Sequence, residues 1–427
     1  MQQLTKLRMT KKSIKFLLSL MIFISPMLVL QIGGKEAFLW IQILFVIIMA
    51  VNYKKISFYK SPFIVAYFLE PFITAFFAHF STMPDSYKST AINLAIMSIP
   101  LYFVIGYLNR IIKKEFNVLE TVIKALKLAI IVELIWVLGQ LLFYRVFGID
   151  INKFIFVDML HLVENASFIR SWVWYPSGLC WHSAVLAPLF VMGILFFDNS
   201  LIRAVIIIEA FLCGNSTTLI GVLASVFLLL IYSFFRGKFK LSKKKIITVV
   251  ILIIAMILVL LETNMKDKII DVAIKLWIRL FGGEKDASTA AHFGYYSDYI
   301  TILKKSSLSQ ILWGYGIGCS GYTITSLYGR YANGGTWAIE SDYINILVSR
   351  GIIGFINYYL FLFYIMIKGA KIDARYFIFM LVILIQGFGY NIQFDFLFLI
   401  EVVLFICVKK NINFFNIVDE VNKKKRD

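Results

Sequence analysis

Long apolar runs separated by short basic segments dominate the chain. They cover approximately 16–33, 37–52, 62–80, 90–108, 129–147, 178–197, 201–214, 216–235, 246–263, 343–367, 376–391 and 392–408. A helix crossing a hydrocarbon core about 30 Å thick needs about 20 apolar residues, whereas a barrel strand needs about ten in strict alternation. The run length therefore predicts an all-α polytopic membrane protein with about twelve transmembrane helices, read as a single multi-pass membrane domain over 1–427. The shortest run, 201–214, pairs with 216–235 as a hairpin broken at Gly214-Asn215-Ser216. The first run has a basic flank (Lys6, Arg8, Lys11, Lys12, Lys15) like a signal peptide. It lacks a small-residue cleavage site and another run follows directly, so it is read as a retained span.

Composition sharpens that picture. With 60% hydrophobic and only 16% charged residues, the chain has too little polar surface to wrap a soluble globule of 427 residues, so the apolar surface must face lipid. The formal net charge of +18 does not point to nucleic acid, because the basic residues hug the ends of the runs, where they meet anionic headgroups. Segments 1–15, 53–61, 109–128, 198–203, 236–245, 368–375 and 409–427 carry 29 of the 43 Lys and Arg. All seven fall on one side of a twelve-span arrangement, which predicts cytoplasmic termini in a bacterial cytoplasmic (inner) membrane. Four cysteines give no disulfide framework, and no CxxC pair suggests a metal site.

Two predicted outer segments are longer than a simple turn, a smaller loop at 148–177 and a large one at 264–342. The first contains Arg170 and the aromatics Trp172, Trp174 and Tyr175. The second opens with an amphipathic stretch from Lys266 to Phe281 that reads as an interfacial helix, then a break at Gly282-Gly283 and a second helix near 289–305. The turn-rich Gly314-Tyr315-Gly316-Ile317-Gly318 follows.

Several motifs in this order resemble the bacterial O-antigen and capsule repeat-unit polymerases (Wzy-type) and the related O-antigen ligases. They are Trp313 to Gly318, then Glu340-Ser341-Asp342-Tyr343-Ile344, then Gly351-Ile352-Ile353-Gly354-Phe355. Upstream lie Arg170, the stretch Gly178 to Ala184 with His182, and Asn215-Ser216-Thr217-Thr218. The resemblance spans about 165–370 and implies a C-type glycosyltransferase architecture. Such an enzyme moves a glycan from an undecaprenyl-diphosphate-linked oligosaccharide to an acceptor hydroxyl at the outer membrane face, without a cofactor or metal. Its implied partners are that lipid-linked substrate and membrane lipids, with a chain-length regulator and a flippase as further candidates. Two positions depart from the family pattern, which often has His where Glu340 stands and Arg where His292 stands.

The chemistry so implied needs cations for the departing diphosphate, preferably guanidinium forks, and Arg170, Arg279, Arg330 and Arg350 are the best placed, with His182 nearby in sequence. It also needs a base for the acceptor hydroxyl, for which Glu340, Asp342 and His292 are available. Each has a structural alternative. Arg170 and Arg279 suit interfacial anchoring, Arg350 suits snorkelling, Glu340 and Asp342 suit helix capping, and the histidines suit packed structural roles. Within the enzyme class, a ligase acting on lipid A-core or protein uses the same donor. A different class, a lipid-linked oligosaccharide flippase or proton-coupled transporter, is suggested by the mid-span carboxylates Glu70, Glu133, Glu209 and Glu401.

Overall fold

The computed structural model describes residues 11–53, 56–81, 83–114, 117–162, 176–180, 185–213, 215–235, 287–320, 323, 339, 341–389 and 395–424. Helices account for nearly all of it, as apolar backbone without water to bond must pair within itself. In chain order they are α1 (Lys11–Ile24), α2 (Ala37–Tyr53), α3 (Pro62–His79), α4 (Asp85–Met97), α5 (Ile99–Lys114), α6 (Asn117–Phe147), α7 (Leu186–Phe196), α8 (Ser200–Leu212) and α9 (Ser216–Phe235). Then come α10 (Ala287–Lys305), α11 (Leu308–Trp313), α12 (Asp342–Ala370), α13 (Ala374–Gly389), α14 (Asp395–Lys409) and α15 (Phe414–Lys423). Among the described residues five helical stretches are long and apolar enough to cross a membrane: Pro62–His79, Asp85–Ile112, Asn117–Phe147, Thr217–Phe234 and Asp342–Ala370.

The long and the short helices differ in what they face. The five long stretches are only 28–50% buried over their most apolar windows and leave Phe72, Phe76, Leu142, Phe227 and Leu360 outward. By contrast α7 is buried along its whole length and α14 from Phe396 to Val408. A helix apolar on every side belongs inside the bundle rather than at its rim. The core gathers around α14, where Phe398 stacks on Tyr67 at 3.7 Å and Phe405 meets the rings of Tyr59, Phe63, Phe361 and Tyr364.

Some predicted boundaries shift. The run 16–33 ends early, because Pro26 has no N–H to continue α1. Residues 31–36 instead make a two-stranded hairpin, Gln31–Ile32 (β1) against Lys35–Glu36 (β2), turned by Gly33 and Gly34 at φ 60° and 69°. Within run 178–197, Gly178–Cys180 form a turn and α7 begins at Leu186, and run 90–108 divides into α4 and α5 at Ser98. Helix α6 begins 12 residues ahead of run 129–147. At 1.5 Å per residue it is about 46 Å long, so its first turns stand clear of a 30 Å core. The run 246–263 and the amphipathic stretch 266–281 lie outside the described residues, whereas the helix near 289–305 is α10.

Three of the basic segments gather on one face. There α15 lies across the bundle: Lys424 pairs with Glu120 at 3.5 Å, Lys127 hydrogen-bonds Asn422, and the Asn422 amide donates to Phe196 O at 3.1 Å. Arg375 forks onto both Asp373 and Asp419, and Lys410 Nζ donates to Asn109 O at 2.7 Å. Segments 109–128, 368–375 and 409–424 thus share a side, as the alternation of basic loops requires. The opposite face carries the hairpin, the Gly178–Cys180 turn joined to it by Val29 N donating to Leu179 O at 3.1 Å, and the turn after α11.

Candidate functional site

On that opposite face, two of the sequence motifs fold into one unit. Gly351 breaks α12 with φ 66° and ψ −172°. In an unbroken helix the carbonyls of Val348 and Ser349 would accept from the N–H groups four residues on, and the break frees them. The turn after α11 takes them instead: Tyr315 N donates to Val348 O at 2.7 Å and Gly316 N to Ser349 O at 3.1 Å. The approach requires glycine on both sides. A Cβ on Gly351 would lie 2.4 Å from the Leu312 carbonyl, and one on Gly314, itself at φ 79°, would lie 2.5 Å from Ser349 C. Helix α11 is set for this by a capping box between Ser307 and Gln310, and the Tyr315 hydroxyl meets Ser306 Oγ at 2.7 Å.

Arg350 sits at this junction and faces α3. Its Nη1 donates to Glu70 Oε2 at 3.0 Å and to Tyr67 O at 3.2 Å, and the guanidinium lies 4.0 Å from the Tyr67 ring centroid. The Tyr67 carbonyl is open to it because the residue four positions on is Pro71, which has no N–H. Gly354 lets the two helices close, since a Cβ there would lie 2.6 Å from Glu70 Oε1. A charge at membrane depth is costly alone, and here it has a carboxylate, a carbonyl and an aromatic face.

Asp342 opens α12 and looks elsewhere. It is buried in the first turn, where a carboxylate suits the helix dipole, and the site of a Gly387 Cβ would be 3.0 Å from its Oδ2. Around it α13 and α9 bring further polar groups. Gln386 Nε2 donates to Thr217 O at 3.4 Å through a notch at Gly221, and Asn215 Oδ1 caps the Thr218 N–H at 3.2 Å. From α10, Tyr296 stacks on Phe388 at 5.0 Å and its hydroxyl meets Ser341 Oγ at 3.1 Å and Phe388 O at 3.2 Å. Beyond the Gly351 break, Tyr358 donates to both oxygens of Glu401 at 3.0 and 3.1 Å.

Of the expected site residues, then, Asp342 and Arg350 lie on one helix but face different neighbours, α13 and α3. Arg170, His182, Arg279, Arg330 and Glu340 lie outside the described residues, and so does the side chain of His292 on α10. Two carboxylates that the motifs do not mark join the same region, Glu36 on β2 and Asp395 at the start of α14. Burial pushes the Glu36 carboxyl up to about 7, and the negative charge of Asp395 adds to the shift. Asp395 in turn feels the positive charge of Arg350. Their signal in the sequence is only that each opens an apolar run, which is the ordinary place for a helix-capping acid.

Cys180, Cys213, Cys319 and Cys407 are buried free thiols. Among the described residues no three His, Cys, Asp or Glu side chains group so as to hold a metal ion. Compared with known proteins, the chain matches no family model and no curated protein.

Proposed function

We propose that the protein polymerises lipid-linked repeat units, transferring a growing glycan from undecaprenyl diphosphate to the hydroxyl of another lipid-linked unit at the outer face of the cytoplasmic membrane. The observation that carries this reading is the interlock of the Gly314–Gly318 turn with the Gly351 break. Two motifs of the polymerase-like pattern, separated in sequence by the end of the outer loop, make one rigid contact that neither would form with a side chain at those glycines.

In the reaction, the acceptor oxygen forms a bond to the anomeric carbon as that carbon's bond to the diphosphate oxygen breaks. The diphosphate leaves with the electron pair, and the acceptor proton passes to a carboxylate, Glu340 or Asp342. Arg170 and Arg330 neutralise the charge gained by the leaving group. Arg350, already engaged by Glu70, has a positioning role: it ties the break in α12 to α3 and so fixes where Asp342 and the loop turn stand.

The test is to express Glu340→Gln, Asp342→Asn, Arg170→Ala and Arg330→Ala in a deletion strain and run surface polysaccharide on a gel. Loss of a preorganised donor at a site where charge develops lowers the rate by about 10²–10³. Polymer should disappear, leaving single units on the final carrier, while membrane abundance stays unchanged. Absence of any attached unit in the deletion strain points to a ligase, and units retained inside point to a flippase. Normal chain lengths in all four variants overturn the transfer reading.

A further inference from the structure

Four carboxylates lie at membrane depth, and they are not alike. Glu70 has Arg350 and Glu401 has the Tyr358 hydroxyl. Glu133 on α6 and Glu209 on α8 have no such partner. The two helices pack at Gly193 of α7, where a Cβ would meet Ile206 at 2.6 Å and Ile130 at 3.3 Å. Three residues on from each isoleucine, almost one helical turn, stand Glu209 and Glu133, both fully buried and within electrostatic range of each other. Glu133 Oε2 accepts from Leu179 N at 2.7 Å and from the Cys180 thiol. Among the described residues, its Oε1 and both oxygens of Glu209 accept no hydrogen bond.

Among the described residues, no positive charge acts on either carboxylate. The titratable groups facing them are the thiols of Cys180, from the outer turn, and Cys213, at the end of α8; α7, packed between, presents none. Polar groups continue toward the outer face. Gln140, two turns further along the same stripe of α6, accepts from Gly178 N at 2.7 Å and leaves its Nε2 unpaired. Asn152 donates to Gly178 O at 2.8 Å, and Asp150 beyond it keeps one buried oxygen unpaired.

We propose that Glu133 and Glu209 form a proton-binding site in the membrane interior, distinct from Asp342 and Arg350 and reached from the outer face along Asp150, Asn152, Gln140 and the Gly178–Cys180 turn. Three unpaired carboxylate oxygens in one buried layer need a cation, because two neighbouring carboxylates cannot both stay ionised without one. Among the described residues, no three His, Cys, Asp or Glu side chains of this layer group so as to hold a metal ion. A proton needs only one oxygen, and water entering the polar column delivers it and takes it away.

The proposal does not depend on glycan transfer and is tested without it. The full-length protein in lipid nanodiscs is followed by infrared spectroscopy of the carboxylic C=O stretch as pH rises and on transfer to heavy water. The wild type should show a band that shifts in heavy water and is lost in alkaline buffer. Glu209→Gln and Glu133→Gln should each reduce it, and Glu401→Gln should leave that exchanging component in place. In parallel, the wild type is labelled with a hydrophobic carbodiimide, which attacks protonated carboxyls, and digested for mass spectrometry. Modification at Glu209 or Glu133 should fall about tenfold for each pH unit above the titration midpoint. A band that never exchanges with heavy water, a band unchanged in both variants, or labelling independent of pH would each overturn the proposal.

Discussion

Glu70 on α3 and Glu209 on α8 occupy similar settings, each inside an apolar helix and each buried, but their surroundings differ in kind. At Glu70 the chain has assembled a receptor for one charge pair: a guanidinium on Oε2, a carbonyl released by Pro71, the Tyr67 ring and a glycine that lets α12 come close, with Oε1 alone left without a donor among the described residues. At Glu209, among the described residues, nothing donates to either oxygen. A carboxylate built into a pair is fixed in charge and can hold structure. One left without a partner has to exchange a cation with its surroundings, so it is the better candidate for movement of charge. The four mid-span acids therefore do not form one class, and the contrast between these two can be broken in three ways.

The largest effect is expected at the pair. Arg350→Met strands Glu70 among apolar groups, and removing one member of a buried pair typically costs about 3–5 kcal/mol. Unfolding of the detergent-solubilised protein should register a loss of that size. The double variant Arg350→Met with Glu70→Leu should recover most of it, since no charge is left unpaired. If the double variant is as unstable as the single, the pair is not what holds α3 to α12.

A smaller and asymmetric effect separates the members of the other site. Glu133→Leu leaves the Leu179 N–H without an acceptor, at a cost of about 1–3 kcal/mol. Glu209→Leu removes no hydrogen bond and should leave stability equal or higher. The same unfolding measurement decides between them, and the reverse order would mean that Glu209 has a partner in solution.

The smallest effect concerns the β1–β2 hairpin. The folded-state value of Glu36, about 7, lies above its ordinary 4.5, so the fold binds this proton more tightly than the unfolded chain does. Its contribution is complete below pH 4.5 and is lost as pH rises through 7. The melting temperature should therefore fall across that window, and Glu36→Gln should flatten the fall. An unchanged slope in the variant would show that another group titrates there.

Much of the architecture was legible in the run lengths. Helices occupy every predicted run that falls among the described residues, and the contacts of α15 bring three of the basic segments to one face. The misplaced boundaries have local causes. Pro26, Gly33 and Gly34 turn an apolar stretch into a hairpin, and Gly178–Cys180 are held as a turn by Glu133 and Gln140, residues about 40 positions away. The site was legible only as motif order. That the Gly314 turn and the Gly351 break touch follows from two glycines approaching backbone to backbone, which neither segment announces by itself.

The sequence by itself determined the class of the molecule, because a chain that is 60% hydrophobic in runs of helical length has only lipid and its own interior to face. It also determined which side chains carry charge within those runs. Only the tertiary structure decided which charges are answered. Arg350 and Glu70 are 280 residues apart, and their pairing depends on α3 and α12 packing at Gly354 with a carbonyl laid open by Pro71. Glu133 and Glu209 come together across α7 with no cation among the described residues to answer either. Burial and hydrophobic pattern are properties of a single segment and can be read along it, whereas partnership is a property of the space between segments.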